Sequence, residues 1–501
     1  MKILTAKQIQ ALDAYTIKHE PITSIDLMER AARVFTDWFT KVFPNTEEKV
    51  IVFCGPGNNG GDGLAIARLL HGLFYNVEVM ICEIEKSKSA DFEANQKKLT
   101  VLKAVNIASL KEKDQFPTIT SETIIVDAIF GSGLSRPIDG YWKELIQQLN
   151  SLPNRRVAVD IPSGVFADRS NVDCQFNADY TLSFELPKRA FMYPENEKAI
   201  GDWSVQSIDL APAFLDRVET AFYYIDQKLA AQSFKQRNKF AHKGTFGHSL
   251  IMAGSMGKIG AAVLATKACL RSGSGLVSAH VPKCGYEIMQ STVPEAMVVI
   301  DPHEKILTEL IDLSPYQAIG IGCGIGTETM TAETLEFMLK RIKIPLVLDA
   351  DALNIIAKQQ KMLKHIPKES ILTPHVKEFE RLFGESENDF ERTQLQMKMA
   401  LELGVYIILK GAHTTIATPE AKCYFNSTGN PGMATGGSGD VLTGLLTGLL
   451  AQGYFSEDAA IFGVYLHGLA GDLAVADIGE MALTAGDLLD YFGKGFLVFS
   501  A

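Results

Sequence analysis

The segment VIVFCGPGNNGGDGLAIARLL, from Val50 to Leu70, decides the fold of the N-terminal half. A short apolar run is followed by a glycine-rich loop and then by a helical pattern, the order typical of a parallel α/β sheet. Gly55, Gly57 and Gly60 have the GxGxxG spacing of dinucleotide-binding loops. No Lys-Ser or Lys-Thr pair follows the last glycine, so the loop is not a Walker phosphate loop. The segment therefore predicts a ligand-binding turn between a buried strand and a helix.

Further strands and helices alternate on both sides of this segment. We expect helices at Lys7–Lys18 and Ser24–Phe43, then helices beginning at Leu64, Phe92 and Gly140. The predicted strands are Val50–Cys54, Val77–Cys82, Thr123–Phe130 and Arg156–Ile161, with Tyr180–Leu186 and Trp203–Ile208 at the sheet edge. Such alternation predicts a parallel sheet covered on both faces.

A second alternating series follows a stretch without periodicity, Ala211–Gly247. We place the boundary near residue 225, which gives domains 1–224 and 225–501. The expected strands are Ser249–Ala253, Leu276–Val281, Ala318–Ile321, Pro345–Asp349, Ser370–Thr373 and Val405–Lys410, followed by a hairpin of Thr414–Ala417 with Lys422–Phe425. The sequence therefore predicts two α/β units.

Composition limits the classes of function. The 501 residues exceed one hydrophobic core, and a net charge of −11 argues against nucleic-acid or anionic-membrane binding. The basic stretch Lys235 to Lys243 is interpreted as a solvated linker. The seven cysteines include no CxxC pair and the N-terminus has no signal-peptide pattern, which predicts reduced thiols and a cytoplasmic location. The most apolar long segment, Val441–Leu450, is too short to span a bilayer and is expected to be a buried helix.

Oxygen-bearing side chains follow several of the N-terminal strands. Asp62 lies in the glycine loop, where it disfavours phosphate and favours a hydroxyl, ribose or cation, unless it only complements the helix dipole. Asn59, Asp127, Asp160 and Ser163 are expected to converge at the carboxyl ends of the strands. Such a cluster suits a hard cation, leaves one carboxylate free as a base, and offers no soft ligand for zinc.

A second glycine loop precedes the last helices. Gly436, Gly437 and Gly439 deliver Asp440 to the start of an apolar helix. Free N–H groups at a helix start stabilise phosphate oxygens, and a neighbouring carboxylate can take a proton from an attacking hydroxyl. The alternative is that Asp440 is a plain helix cap.

The N-terminal motifs GPGNNGGDG, VDAIFGSGLSRP, AVDIPSG and FELPKRAFMYP together resemble the NAD(P)H-hydrate epimerase family over residues 5–215. The resemblance implies a Rossmann-like α/β/α sandwich that interconverts the R and S epimers of hydrated nicotinamide at C6. It implies Asp160 as substrate contact and base, and potassium bound by Asn59, Asp127 and Ser163. It further implies that the hydrated dinucleotide is held by Asn58, Asn59, Gly60, Gly61, Asp62, Gly131, Ser132, Gly133, Leu134, Ser135, Arg136 and Pro137.

The C-terminal motifs GSMGKIGAAVLATKACLRSGSGLV, GIGCGIG, LDADALN, LTPHVKEF, LKGAHTTI and NPGMATGGSGD resemble the NAD(P)H-hydrate dehydratase family over residues 235–495, within the ribokinase-like fold. The resemblance implies ADP as co-substrate, Mg²⁺ near Asp349 or Asp351 unless these only cap the strand end, and Asp440 as base. Hydrate contacts are implied at Ala261, Gly324, His375 and Asp440, and nucleotide contacts at Lys410, Gly411, Ala412, His413, Thr414 and Gly439.

The chain departs from the second family at two positions. Lys377 stands where the family usually has glycine, and Cys323 where it usually has proline. A lysine fits at 377 only if its backbone avoids positive φ.

Two rival interpretations stay open from the sequence. A ribokinase-type small-molecule kinase shares the Gly-x-Gly-Asp loop and would yield a phosphorylated product without dehydration. A non-catalytic N-terminal scaffold is the other, against which the intact Asn59, Asp127, Asp160 and Ser163 argue. The expected partners are small molecules, namely NADH or NADPH hydrates and ADP, with no nucleic acid or membrane, in a homo-oligomer.

Overall fold

The computed structural model of the chain describes residues 1–84, 87–112, 114–170 and 173–500 and forms two compact units. The first comprises Lys2–Thr220 and the second begins at Ala221. The sequence-based boundary near residue 225 coincides with the end of a strand, Phe222–Ile225, that lies in the second unit.

The first unit is built from alternating strands and helices. Its strands are β1 (Lys2–Ile3), β2 (Lys49–Cys54), β3 (Asn76–Glu83), β4 (Asn106–Lys111), β5 (Ile124–Ala128), β6 (Arg156–Val159), β7 (Tyr180–Phe184) and β8 (Asp202–Gln206). Its helices are α1 (Ala6–His19), α2 (Ser24–Val42), α3 (Asn58–Gly72), α4 (Ala90–Val101), α5 (Gly140–Ser151), α6 (Glu197–Ile200) and α7 (Pro212–Arg217).

Seven of these strands form a parallel sheet in the order β4-β3-β2-β5-β6-β7-β8. Alternate residues of β2 face opposite cores, Val50 and Val52 toward α2 and α3, and Ile51 and Phe53 toward α5. Because both faces of β2 are buried, the strand is a continuous apolar run and not an alternation of apolar and polar residues. The chain moves outward from β2 to β4 and then returns to β5, so the strand order reverses between β2 and β5.

The second unit repeats this architecture with more strands. They are β9 (Phe222–Ile225), β10 (His248–Met252), β11 (Leu276–Pro282), β12 (Met297–Asp301), β13 (Ala318–Ile321), β14 (Leu346–Leu348), β15 (Ile371–Leu372), β16 (Tyr406–Leu409), β17 (Thr415–Ala417) and β18 (Cys423–Asn426). The helices are α8 (Gln227–Ser233), α9 (Ile259–Arg271), α10 (Tyr286–Thr292), α11 (Thr329–Leu339), α12 (Ala350–Lys358), α13 (Val376–Phe383), α14 (Asp389–Leu403), α15 (Ser438–Ala451), α16 (Ser456–Ile478) and α17 (Ala485–Ser500).

The strands of this unit run in the order β9-β18-β17-β16-β15-β14-β13-β10-β11-β12. The predicted hairpin is confirmed, because β17 pairs antiparallel with both β16 and β18. The order reverses between β10 and β13, which pair in parallel. The predicted fold class, a Rossmann-like sandwich followed by a ribokinase-like α/β unit, is confirmed.

Several local predictions were wrong. Helix α3 begins at Asn58 and not at Leu64, so Asn58–Asp62 are helical. The three glycines in its first two turns have low helix propensity, which led the sequence-based prediction to start the helix too late. The stretch Ala211–Gly247, which has no clear periodicity in the sequence, contains α7, β9 and α8. Strands β4 and β12, each at an edge of its sheet, were missed; most of their residues are exposed or only partly buried.

Helix α15 is buried as predicted for Val441–Leu450, but α16 is the longer apolar helix. Among the described residues, α16 alone has the length and composition to cross a membrane, with a mean hydropathy of 1.5 in its most apolar window. Because 67% of that window is buried within the protein, α16 has the character of a core helix.

Close packing of α15 on α9 yields a stability prediction. A Cβ atom at Gly444 would lie 2.0 Å from the Ala265 carbonyl oxygen and 2.8 Å from Ala268 Cβ. We expect Gly444→Ala to lower the free energy of unfolding by about 1–3 kcal/mol, because the two helices must separate. Denaturant unfolding of the full chain measures it.

The matched control is Gly493→Ala, in α17, where an added Cβ meets no atom within 4 Å. This control is expected to leave stability unchanged or raise it by up to about 1 kcal/mol. Equal effects of the two exchanges would contradict the packing of α15 on α9.

Candidate active sites

The glycine loop of the first unit lies against the neighbouring strand at the point of reversal. A Cβ atom at Gly55 would be 2.0 Å from the Ile129 carbonyl oxygen, and one at Gly60 would be 1.8 Å from the Gly55 carbonyl oxygen. No side chain fits at either position. The turn is therefore held close to the end of β5, which brings Asn59 next to the segment after β5.

Asn59, Asp127 and Ser163 meet around the backbone of Phe130. Asn59 Nδ2 donates to the Phe130 carbonyl at 3.1 Å, and Phe130 N donates to Ser163 Oγ at 2.9 Å. Ser163 donates twice to Asp127, from its backbone N at 2.7 Å and from Oγ at 2.6 Å. Burial raises the pKa of Asp127 to about 6, against the opposing effect of these hydrogen bonds. The three residues expected to share a cation thus form one buried oxygen cluster.

Asp160 stands apart from that cluster and is held by a buried lysine. Lys188 Nζ lies 2.7 Å from Asp160 Oδ1, and Phe184 N donates to the same oxygen at 3.0 Å. Lys188 is 1% exposed and also donates to Ser183 Oγ at 2.8 Å. The backbone of Asp160 has φ 66°, a conformation that aspartate tolerates better than most residues. Backbone and lysine together fix the direction of this carboxylate.

A cavity of about 910 Å³ opens in front of Asp160. Its wall includes Asn58, Asn59, Asp62 and all of Gly131–Arg136, among the residues expected to hold the dinucleotide. Gly60, Gly61 and Pro137 are not part of this wall; Gly60 and Gly61 serve packing, since a Cβ at Gly61 would be 2.8 Å from Met28 Sδ. Burial and the charges of Asp160 and Asp13 raise the pKa of Asp62 well above its usual value.

Among the cavity side chains that sequence reasoning missed are Asp13 and Lys188. Lys188 was within a quoted motif, FELPKRAFMYP, but a lone lysine carries no signal that it is buried. Asp13 lies on α1, one residue after the fully buried Leu12, so a polar residue interrupting an apolar helix face was the available signal.

In the second unit, Lys410 and the buried Asp349 form the centre of the site. Lys410 Nζ lies 2.8 Å from Asp349 Oδ1, and Thr443 Oγ1 donates to Asp349 Oδ2 at 2.9 Å. A Cβ at Gly439 would lie 3.3 Å from Lys410 Nζ. Burial would lower the pKa of Lys410, but the charge and hydrogen bond of Asp349 outweigh it and raise that pKa. The glycine loop and this cation are therefore adjacent, as phosphate binding requires.

Asp440 lies beside this pair at the start of α15. Burial raises the pKa of Asp440 to about 6, and the charge of Asp349 acts in the same direction. The hydrogen bond with the Cys323 side chain acts to lower this pKa. A carboxyl titrating near neutrality is suited to general-base catalysis. Cys323, one of the two departures, is thus in contact with the predicted base.

The remaining predicted contacts surround the same strand ends. A Cβ at Gly324 would lie 3.1 Å from Ala261 Cβ, so these two expected hydrate contacts are neighbours. His375 pairs in register with Lys410 and caps α13, its Nδ1 accepting from Lys377 N at 3.1 Å. Lys377 is in the first turn of α13 and is not among the residues with positive φ, so its backbone tolerates lysine.

The predicted nucleotide segment is a compact turn between β16 and β17. Gly411 N donates to Thr414 Oγ1 at 3.3 Å, and that hydroxyl donates to the Gly411 carbonyl at 3.0 Å. His413 Nδ1 contacts the Asn426 carbonyl at 3.0 Å, and burial lowers the pKa of this imidazole. The turn thereby places its backbone groups next to Lys410.

The two sites differ in how they fit a cation. In the described parts of the chain, no three His, Cys, Asp or Glu side chains are grouped to bind a metal. The Asn59, Asp127, Ser163 and Phe130 oxygens nonetheless suit potassium, which takes hydroxyl, amide and carbonyl oxygens. In the second unit, Asp349 is engaged by Lys410 and Thr443, and Asp351 accepts from Gly326 N at 2.8 Å. Magnesium there fits only as an ion held mainly by phosphates and water.

Fold and sites define a two-domain enzyme with a Rossmann-like unit and a ribokinase-like unit, and comparison with known proteins agrees. Residues 24–190 match the model of the YjeF-related protein N-terminus, and residues 249–493 match that of NAD(P)H-hydrate dehydratase. The bifunctional NAD(P)H-hydrate repair enzyme Nnr of Moorella thermoacetica is 34% identical over 98% of this chain and 96% of its own length. The enzyme of the same name from Thermofilum pendens is 32% identical over 99% and 96%.

A solved structure resembles the second unit. The ADP/ATP-dependent NAD(P)H-hydrate dehydratase of Bacillus subtilis, co-crystallised with ATP/Mg²⁺, is 30% identical with a TM-score of 0.49, covering 55% of this chain and 98% of that one. The full-length relatives settle the identification: the chain belongs to the family of bifunctional NAD(P)H-hydrate repair enzymes.

The buried Lys188–Asp160 pair yields a second prediction. Lys188→Met removes the only partner charge in direct contact with Asp160 among the described residues, and we expect a loss of about 3–5 kcal/mol in the stability of the first unit at neutral pH. Denaturant unfolding of the full chain measures this loss.

Lys49→Met is the matched control, because Lys49 is half-exposed and pairs with Glu78 on the surface. Its effect is expected to stay within about 1 kcal/mol. If both exchanges cost the same, Lys188 does not hold a buried charge.

Proposed function

We propose that the chain repairs hydrated nicotinamide cofactor through two reactions. The first unit interconverts the R and S hydrates of NADH or NADPH at C6, and the second dehydrates the S form with ADP, releasing AMP and phosphate. The observation that carries this proposal is that both centres are intact in one chain, each with a lysine–aspartate ion pair just beyond the carboxyl ends of the strands. Hydration yields both epimers, so a dehydratase selective for one needs an epimerase.

In the first unit, the proposed base is Asp160. Lys188 holds the carboxylate of Asp160 in a fixed direction, and Asn58–Asp62 with Gly131–Pro137 bind the dinucleotide. Potassium would be held by Asn59, Asp127 and Ser163. When bound, it would screen the charge of Asp127 and order the segment after β5 that supports the substrate.

In the second unit, the chemistry follows from hydroxide being a poor leaving group. Asp440 takes the proton of the C6 hydroxyl, and the oxygen attacks the terminal phosphorus of ADP while the bond to the α-phosphate oxygen breaks and AMP leaves. Phosphate then leaves C6 with its bonding electrons, and loss of a C5 proton restores the ring double bond. Magnesium would neutralise phosphate charge during the transfer.

Around Asp440, the other residues bind the two substrates. Lys410–Thr414 and Gly439 hold the nucleotide phosphates, which agrees with the Lys410 ammonium lying against the glycine loop. Ala261, Gly324 and His375 contact the hydrate. We assign residues 1–224 to the epimerase and 225–501 to the dehydratase, in a cytoplasmic homo-oligomer that binds neither nucleic acid nor membrane.

Reciprocal variants test this division of labour. We expect Asp160→Ala to lower epimerisation by roughly 10²- to 10⁴-fold, and Asp440→Asn to lower ADP-dependent dehydration by a similar factor, since each removes a general base. Chromatographic separation of the epimers measures the first reaction, and AMP release from S hydrate measures the second.

Each variant is the control of the other. Asp160→Ala should dehydrate S hydrate at the wild-type rate, and Asp440→Asn should still bind ADP and epimerise. Loss of both reactions in a folded variant would show that the two centres do not work separately.

A further inference from the structure

The first cavity contains a carboxyl group, that of Asp13, which the proposed mechanism does not use. Asp13 lies on α1, where Leu12 and Thr16 are fully buried, and its half-buried side chain lines the same cavity as Asp160 and Lys188. Among the described residues, no hydrogen-bond or ion-pair partner of the Asp13 side chain is found. A carboxyl group in a half-buried position without a protein partner is available to a ligand.

Epimerisation at C6 needs a proton donor as well as a base. In an iminium route, the hydroxyl leaves C6 as water after receiving a proton, and the base takes a proton from the water that returns. In a ring-opening route, the base takes the hydroxyl proton and the ring nitrogen receives one as its bond to C6 breaks. Both routes therefore require one acid and one base at the ring.

The surroundings of the two carboxyl groups set them apart. Asp160 Oδ1 accepts from Lys188 Nζ at 2.7 Å and from Phe184 N at 3.0 Å, whereas the Asp13 side chain has no such partner among the described residues. Burial and the nearby charge of Asp160 raise the pKa of Asp13 to about 6, whereas the charge of Lys188 acts to lower it. Two carboxyls with such different environments are the usual arrangement of an acid and a base.

We propose that Asp13 is the proton donor of the epimerase centre and acts across the cavity from Asp160. This assignment rests on the proposed epimerase function. In the iminium route, the Asp13 carboxyl gives its proton to the C6 hydroxyl, the C6–O bond breaks with its electrons on oxygen, and the nitrogen lone pair forms the C=N bond. Water adds to the opposite face and gives a proton to Asp160; the exchanged protons return through solvent.

Other charged groups share this cavity with Asp13 and have to be separated from it. They are Asp62, Lys88, Asp91, Arg136 and Glu185, besides the Asp160–Lys188 pair. Glu185 Oε2 accepts hydrogen bonds from Ser207 Oγ and from Ile208 N, both at 2.8 Å. The Glu185 carboxylate therefore already has protein partners. Asp62 belongs to the segment assigned to dinucleotide binding, so its removal is expected to act mainly on KM.

The test is the pH dependence of R-to-S interconversion by the full chain, in excess potassium and without ADP. In the wild type, kcat is expected to fall as pH rises through about 6, because a donor must be protonated and loses its proton above its pKa. Asp127, whose pKa is also near 6, acts with the opposite sign, since its protonation at low pH weakens the cation cluster.

Asp13→Asn is expected to lower kcat at least about 100-fold with KM changed less than about threefold, and to abolish the fall on the alkaline side. Asp13→Glu should restore part of kcat and the alkaline fall. Asp37→Asn, the same exchange on the exposed face of α2, should leave all of these unchanged.

Near-wild-type kcat in Asp13→Asn, or an unchanged alkaline fall, would overturn the role of Asp13 while leaving the epimerase intact. A kcat loss that Asp13→Glu does not relieve, with unfolding of the first unit, would make Asp13 structural and also overturn it. If the wild type itself fails to interconvert the hydrates, the proposed epimerase function falls first.

Discussion

Both units depend on one topological constraint, the single reversal of strand order in each parallel sheet. Where the chain leaves β2 and returns at β5, and where it leaves β10 and returns at β13, the loops at the carboxyl ends diverge and open a crevice. Two segments border the first crevice: the glycine loop from Gly55 and the segment after β5. The loops after β10 and β13 border the second, and the loop after β14 is next to them. Side chains far apart in sequence, such as Asp349 and Lys410, meet because β14, β15 and β16 are parallel and end at the same edge of the sheet.

Each centre contains one lysine that is paired with one aspartate. Lys188 binds Asp160, and Lys410 binds Asp349, both at short distance and largely away from water. A buried pair of this kind costs desolvation and is not evidence of stability by itself. What it does is hold one carboxylate in a fixed direction, while burial raises the pKa of a second carboxyl nearby, Asp13 or Asp440, to about 6. Each centre thus contains one carboxylate paired with a lysine and one carboxyl with a raised pKa.

The sequence was sufficient for the fold class because each buried strand is an apolar run and each site loop is rich in glycine. The cluster of Asn59, Asp127 and Ser163 was predictable from their positions after strands. The start of α3 at Asn58 was not, because glycines have low helix propensity and tertiary packing overrides it. Nor could the sequence show that Lys188 is buried or that Asp13 faces a cavity, since both depend on contacts between elements distant along the chain.

The central claim is that one chain restores both epimers of hydrated cofactor. The direct measurement is the return of dihydronicotinamide absorbance when purified full-length protein meets an R and S hydrate mixture with ADP, magnesium and potassium. Recovery of the whole mixture at a rate exceeding spontaneous epimerisation is the predicted result. Recovery that stops at the S fraction, or accumulation of a phosphorylated product without return of absorbance, would contradict it.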